Sequence, residues 1–357
     1  VNGRAARTAL GLVFALAGVV LILNLVAFAF GQAPASTLRR VVEGTWGTPY
    51  GIGQVLFKAS PLLLTGLAFE VALRTGLFNI GAEGQLALAS LVGGAYAAKL
   101  PAGTPWPVAV LSALAVAAVV GALVALPPAL MRARLGVHEI ITGIMMNRVV
   151  DVLVPWALTV VVGSSSLRTA DIAPGASMMR LDRVLPSFAG SAASAAFPLA
   201  VAIVFAAHAL LRRTRAGREM RFVGLNAEAS RAEGVPVPRR VAQAMLLSGA
   251  LAGLGMTSTV LGYKGYYELG LGAGAGFSGI AVAMLGRGSA VGLVLAALLF
   301  GTLEQAGLAI NATVPKEAMN VLEAVVIVLV AIAARASRAP ATAAVAPAPT
   351  PAPEAST

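Results

Sequence analysis

Arg212–Arg240 reads RRTRAGREMRFVGLNAEASRAEGVPVPRR and carries eight arginines between two long apolar segments. A basic connector between hydrophobic runs marks the cytoplasmic side of a polytopic membrane protein. The stretch also holds helix start and stop signals. Asn226 is a natural N-cap, and Glu228 lies in the first turn, where negative charge suits the helix dipole. Gly234 fits the C-terminal stop, and Pro236 and Pro238 prevent continuation. The pattern predicts a two-turn helix over Ala227–Glu233 that offers Glu228, Ser230, Arg231 and Glu233 to a partner. Its ends are pinned by membrane helices, so it can act as a lever.

Composition agrees with a membrane protein. Of 357 residues, 58% are hydrophobic and 11% charged, against about 25% charged in a soluble chain. The net charge of +11 belongs to the topology, because the arginines flank apolar spans; nucleic acid is not an expected partner. There is no Cys, and His138 and His208 are the two histidines, so neither a metal site nor another cofactor is expected. The phosphate-cradling GxxxxGK[ST] loop, the zinc motif HExxH and the GxSxG elbow are missing. No enzyme chemistry is therefore expected of the chain.

Apolar runs place candidate spans at 9–30, 54–74, 83–99, 105–130, 138–162, 196–211, 240–262, 275–286, 289–310 and 318–334. The expected fold is therefore all-α, with about ten transmembrane helices. The segment 275–286 is too short to cross alone and reads as a re-entrant or broken helix. With the N-terminus inside, Arg4, Arg7, Arg74, Arg132, Arg134, the central arginines, Arg287, Arg335 and Arg338 fall in the cytoplasm. Outside fall Arg39, Arg40, Lys99, Arg168, Arg180, Arg183, Lys264 and Lys316. That bias puts both termini in the cytoplasm. The membrane domain covers 1–338, with 212–240 as its cytoplasmic coupling loop. The Pro/Ala-rich tail 339–357 cannot bury a core and is expected to be disordered. The external loop 163–195 is long enough for a small surface structure.

Three further stretches interrupt apolar sequence with polar groups. Gly76–Gln85 (GLFNIGAEGQ) brings glycines together with Asn79, Glu83 and Gln85. Gly270–Gly288 (GLGAGAGFSGIAVAMLGRG) is a second glycine-rich entry to a short helix. Corresponding breaks in two halves point to an inverted repeat with a transport site between the halves; small-residue helix packing explains the same glycines. Glu139, Gly143 and Asn147 are spaced by four and share one helix face. Polar groups on membrane helices should face protein or a pathway.

Several long motifs, in order over roughly residues 50–335, resemble the membrane permease of ATP-binding-cassette importers. They are GLFNIGAEGQLAL from Gly76, GVHEIITGIMMN from Gly136, GREMRFVGLNAEASRAEGVPVPR from Gly217, LSGALAGL from Leu247 and GFSGIAVAMLGRGSAVGLVLAALLFGTLEQAG from Gly276. The group takes in simple-sugar, branched-chain amino-acid and nucleoside permeases, and the nucleoside branch is the most similar. Arg148 departs from it, standing where related chains often have an aromatic residue.

The resemblance implies a type II ABC importer-like fold in a bacterial inner membrane. It implies a second, homologous permease chain, cytoplasmic ATPase subunits and an extracytoplasmic substrate-binding lipoprotein. Carried over, Gly224, Asn226, Ala227, Glu228, Arg231 and Gly234 belong to the coupling segment. Asn79, Glu83 and Gln85 become pathway residues, with Glu139, Asn147 and Phe277 beside them. The expected substrate is a nucleoside; a simple sugar or other small solute is the alternative. An ion-coupled secondary transporter using Glu70 is the reading from another class.

Overall fold

The computed structural model describes residues 30–312, with isolated positions 21, 24, 28, 321, 324, 325 and 328. Apart from those positions and residue 30, the expected spans 9–30 and 318–334 lie outside the described residues, as do the tail 339–357 and the charges of the two termini. The count of ten spans includes two of those segments.

Eleven α-helices follow one another among the described residues. They are α1 (Pro34–Gly44), α2 (Pro49–Leu73), α3 (Ala82–Lys99), α4 (Trp106–Leu135), α5 (Glu139–Trp156), α6 (Ala196–Arg213), α7 (Arg215–Leu225), α8 (Ala227–Ala232), α9 (Val237–Gly253), α10 (Ala275–Gly286) and α11 (Ala290–Ile310). Wider π-turns extend α5 through Ala157–Val161 and follow α9 at Thr257–Lys264. Six helical stretches are long and apolar enough to cross a membrane: Pro49–Leu73, Trp106–Leu135, Glu139–Val161, Ala196–Arg213, Val237–Lys264 and Ala290–Ile310. Helix α10, with 12 residues, is too short to do so.

Helix α2 is the axis of the bundle. It is mostly apolar with no single apolar stripe, as suits a helix enclosed by others, and Leu63, Ala68 and Phe69 have no exposed surface. It packs against α6, α9, α10 and α11. Lipid is as apolar as leucine, so tight packing and buried hydrogen bonds hold such helices together. Both are present. The hydroxyl of Thr65 on α2 donates to the Ala275 carbonyl at 2.8 Å. Gly121 of α4 and Gly249 of α9 lie backbone on backbone, so a side chain at either would strike the other's carbonyl. Between α2 and α6, Glu70 Oε1 lies 3.0 Å from His208 Nε2 and 3.1 Å from Arg74.

Helix α4 runs to Leu135, beyond the expected end at 130, despite Pro127 and Pro128. Its last turn carries Arg132 and Arg134, and Gly136 closes it at φ +68°. Cations suit a helix C-terminus, so these charges belong to the helix. The loop 163–195 does form a small structure, with short 3₁₀ turns at Pro174–Ala176, Leu181–Arg183 and Pro186–Phe188. It is tied down by Ala173 N–H to the Ala97 carbonyl (3.0 Å) and Met178 N–H to the Leu261 carbonyl (2.8 Å).

Two helices, α1 and α7, match neither an expected span nor the capped helix expected in the arginine-rich segment. Helix α1 leads toward α2 and packs on α11, where Gln305 Nε2 donates to the Gly44 carbonyl at 3.1 Å. Helix α7 occupies the arginine-rich segment just before α8. Its signals are Thr214, whose hydroxyl accepts from Gly217 N–H at 3.2 Å, and the i,i+4 pair Arg215–Glu219. Met220 and Val223 form its buried stripe.

Candidate functional site

The first break, Arg74–Gly81, turns the chain out of α2 and back into α3. Gly76 adopts φ +74°, a conformation open to glycine at little cost. The break is knotted by the side chains singled out from the sequence. Asn79 and Gln85 pair amide to amide, with Asn79 Nδ2 donating to Gln85 Oε1 at 2.7 Å and Gln85 Nε2 to Asn79 Oδ1 at 3.0 Å. The other Asn79 Nδ2 hydrogen goes to Ser248 Oγ on α9 at 2.7 Å, and Ser248 donates onward to the Ala68 carbonyl at 2.6 Å. From α5, Asn147 Oδ1 accepts from Gly84 N–H at 3.0 Å, while its Nδ2 donates to the Ile80 carbonyl at 2.9 Å. Glu139 Oε1 accepts from Phe78 N–H at 3.2 Å, and Oε2 lies 3.3 Å from Arg132. Asn79, Gln85, Glu139 and Asn147 are all buried. They satisfy one another and backbone freed by the break, as a low-dielectric setting demands.

Glu83 stands apart from this knot. It opens α3, and its Oε1 accepts from Gly274 N–H at 2.6 Å and Oε2 from Gly276 N–H at 2.8 Å. Its carboxylate therefore caps α10, meeting unpaired amides and the positive end of the helix dipole. A side chain at Gly276 would collide with the Glu83 backbone. The two glycine-rich breaks thus meet at this one carboxylate. Phe277 follows on α10 and is exposed. A cavity of about 160 Å³ opens beside the joint, lined among others by Glu83, Leu86, Asp151, Tyr267, Leu271 and Gly272. Sequence reasoning passed over Asp151 and Tyr267; the polar Asp151 inside an apolar run was the available signal.

The arginine-rich segment holds the second group of residues. Asn226 separates α7 from α8, and its Oδ1 accepts from Glu228 N–H (3.0 Å) and Ala229 N–H (2.9 Å). That is the expected N-cap, and Gly234 at φ +78° is the expected stop. Ala227, Glu228, Arg231 and Glu233 are exposed. Ser230 departs from expectation: it is buried, and its hydroxyl donates back to the Asn226 carbonyl at 2.8 Å. Gly224 lies against the Arg74 carbonyl of the first break, with Gly76 N–H just beyond. The helical segment and the break therefore touch directly.

Glu219 braces the segment from beneath. Its carboxylate oxygens lie 2.6 Å from Arg215 Nε and 2.6 Å from Arg240 Nε, tying α7 to α9. The Arg215 guanidinium, and then that of Arg240, hold the Glu219 carboxyl below its ordinary value of 4.5. A groove of about 610 Å³ runs along α7 and α8, lined by Arg218, Phe222, Leu225, Asn226 and Glu233 among others. Phe222 and Leu225 are exposed there, an apolar patch with a charged rim of Arg215, Arg218, Glu219 and Glu233, of the kind that marks an interaction surface. Among the described residues no three acidic or histidine side chains gather to hold a metal ion.

A family model described as "Branched-chain amino acid transport system / permease component" matches residues 51–331. The guanosine ABC transporter permease protein of Bacillus subtilis is 35% identical over 323 residues, covering 87% of this chain and 90% of its own length. A glucose ABC transporter permease protein of Haloferax volcanii is 36% identical over 296 residues, covering 79% and 76%. A nucleoside ABC transporter permease protein of Lactococcus lactis is 30% identical over 311 residues, covering 85% of each chain.

Proposed function

The chain belongs to the permease component family of branched-chain amino acid transport systems, and on that premise we propose that it carries a nucleoside across a bacterial inner membrane. It is a multi-pass permease subunit of an ABC importer. Two of the relatives above are named for guanosine and nucleoside transport, which favours that substrate. The relative named for glucose keeps a simple sugar as the second reading.

In this reading both termini and the arginine-rich segment face the cytoplasm, where a separate ATPase subunit docks on α7 and α8. Energy comes from ATP hydrolysis in that partner; this chain supplies the pathway. A second permease chain completes the pathway, and an extracytoplasmic binding protein delivers the substrate. The single observation that carries the coupling role is the contact of Gly224 with the Arg74 carbonyl. A push on the docked helices passes through it to the break and its knot of Asn79, Gln85, Glu139 and Asn147. The break in turn leads into α3, whose Glu83 holds the start of α10 beside Phe277. Gly224, Asn226, Ala227, Glu228, Arg231 and Gly234 form the coupling element.

The test is uptake into proteoliposomes, using a panel of radiolabelled nucleosides and sugars with and without the ATPase and the binding protein. Nucleoside uptake that requires ATP and both partners is the expected result. Uptake driven by an ion gradient alone would refute the reading, and uptake confined to sugars would replace its substrate.

A further inference from the structure

Helix α5 turns a mostly apolar face outward, with Ile141, Ile144, Met145 and Val152 exposed. Midway along it, Arg148 and Asp151 stand on the outer surface, 3.1 Å apart, with their side chains 77% and 54% exposed. Lipid solvates neither group, and the middle of a span is the costliest place for them. Near the ends of a span, long side chains reach the headgroups; from the middle they do not. This face therefore meets water or protein.

Asp151 is also a wall of the cavity beside Glu83 and Tyr267. The two carboxylates there are not equivalent. Both oxygens of Glu83 are occupied by the amides of Gly274 and Gly276. Asp151 has one oxygen, Oδ2, on Arg148. An ionised carboxylate only accepts hydrogen bonds, and it has room for several donors. Its natural ligand in a sugar-sized cavity is a pair of neighbouring hydroxyls, each donating one charge-assisted bond. Arg148 neutralises the carboxylate's charge, so a neutral solute meets a polar site without an excess field.

We propose that Asp151, positioned by Arg148, is a specificity-determining residue that accepts hydrogen bonds from the vicinal diol of a neutral polyhydroxylated solute at a water-lined face of α5. The proposal rests on the permease reading above. For a nucleoside the diol is the ribose 2′- and 3′-hydroxyl pair, and the base stays outside the cavity.

The experiment uses the full complex in proteoliposomes, with guanosine, which carries the ribose diol, and 2′-deoxyguanosine, which lacks it, as the pair of probes. Wild type is expected to take up the diol-bearing member of the pair with the lower KM. Asp151→Asn is expected to raise that KM at least tenfold and leave the deoxy compound within twofold, abolishing the preference. Asp151→Glu, which keeps the carboxylate, should retain part of it, and Arg148→Gln should weaken it less than Asp151→Asn. An Asp151→Asn complex that keeps the wild-type preference, or that loses both members of the pair equally, overturns the proposal. So does a complex that no longer assembles in either Asp151 variant, because the residue is then structural. Absence of uptake of both nucleosides by wild type refutes the substrate reading instead.

Discussion

Gly224 in the arginine-rich segment lies directly against the carbonyl of Arg74, at the point where α2 gives way to the first break. No Cβ fits between them. If the docked helices drive the pathway, this contact is where the force crosses. Gly224→Ala is expected to cut substrate-stimulated ATP hydrolysis at least fivefold while basal hydrolysis by the docked ATPase persists. Measuring hydrolysis with and without loaded binding protein checks this; unchanged stimulation removes Gly224 from the path.

The exposed charges of α8 should decide docking. Exchanging them, with Glu228→Arg and Arg231→Glu together, leaves the Asn226 cap in place, because that cap is made to the backbone amides of Glu228 and Ala229 and to neither side chain. The pair of changes is expected to lower ATPase copurification at least tenfold without reducing membrane insertion. Full recovery of the ATPase on an affinity column argues against α8 as the docking element.

Asn79 tests the knot. Asn79→Leu leaves the amide of Gln85 and the hydroxyl of Ser248 without their partner in a buried place. An unsatisfied buried polar group costs about 1–3 kcal/mol, so the detergent-solubilised permease should melt several degrees lower and transport more slowly. A melting point equal to wild type with slowed uptake indicates instead that Asn79 acts on the substrate.

Glu219 gives a pH dependence of known sign. Its folded-state pKa is depressed from 4.5, first by Arg215 and then by Arg240. The brace between α7 and α9 therefore contributes fully above pH ~4.5. It is lost as the pH falls through the lower, folded-state value. Amide hydrogen exchange over Arg215–Arg240 should stay slow down to about pH 5 and accelerate only at more acid pH. Glu219→Gln should exchange faster at neutral pH and show little of that acid step.

Between α2 and α6, His208 Nδ1 lies 2.9 Å from the Val204 carbonyl. A carbonyl only accepts, so Nδ1 carries a hydrogen. His208 Nε2 lies 3.0 Å from Glu70 Oε1, the oxygen that also lies 3.1 Å from Arg74 Nη2. Glu70→Gln keeps the shape of the side chain and an oxygen that can accept from Arg74, and should cost less thermal stability than Glu70→Ala. Glu70→Ala and His208→Ala each break a buried pair and should cost roughly 3–5 kcal/mol. Equal melting of the Gln and Ala variants would contradict this arrangement.

Much of the site was legible in the sequence as a set of residues, and little of it as a set of contacts. Asn79, Gln85, Glu139 and Asn147 stand out because polar groups inside apolar runs need partners. What partners they have is not a local property. The sequence suggests a pathway; the fold shows these four holding a break in the backbone. Glu83 reads like Asn79 and Gln85 along the chain, yet its carboxylate bonds the start of α10 while their amides pair with each other. Helix α7 was hidden by its arginines, whose topological meaning masked the Thr214 cap and the Met220–Val223 stripe.

The sequence alone determined the membrane class, most of the helical spans and the capped helix from Asn226 to Gly234. Each is written locally, in an apolar run longer than a bilayer is thick or in a cap residue within a turn of its helix. Only the tertiary structure decided that Asn79 meets Ser248, 169 residues away, and that Glu83 meets Gly274, 191 residues away. It also set Asp151 beside the cavity and Gly224 against Arg74. Bonds of that range depend on which helices the close backbone packing brings together, and no periodicity along the chain records it.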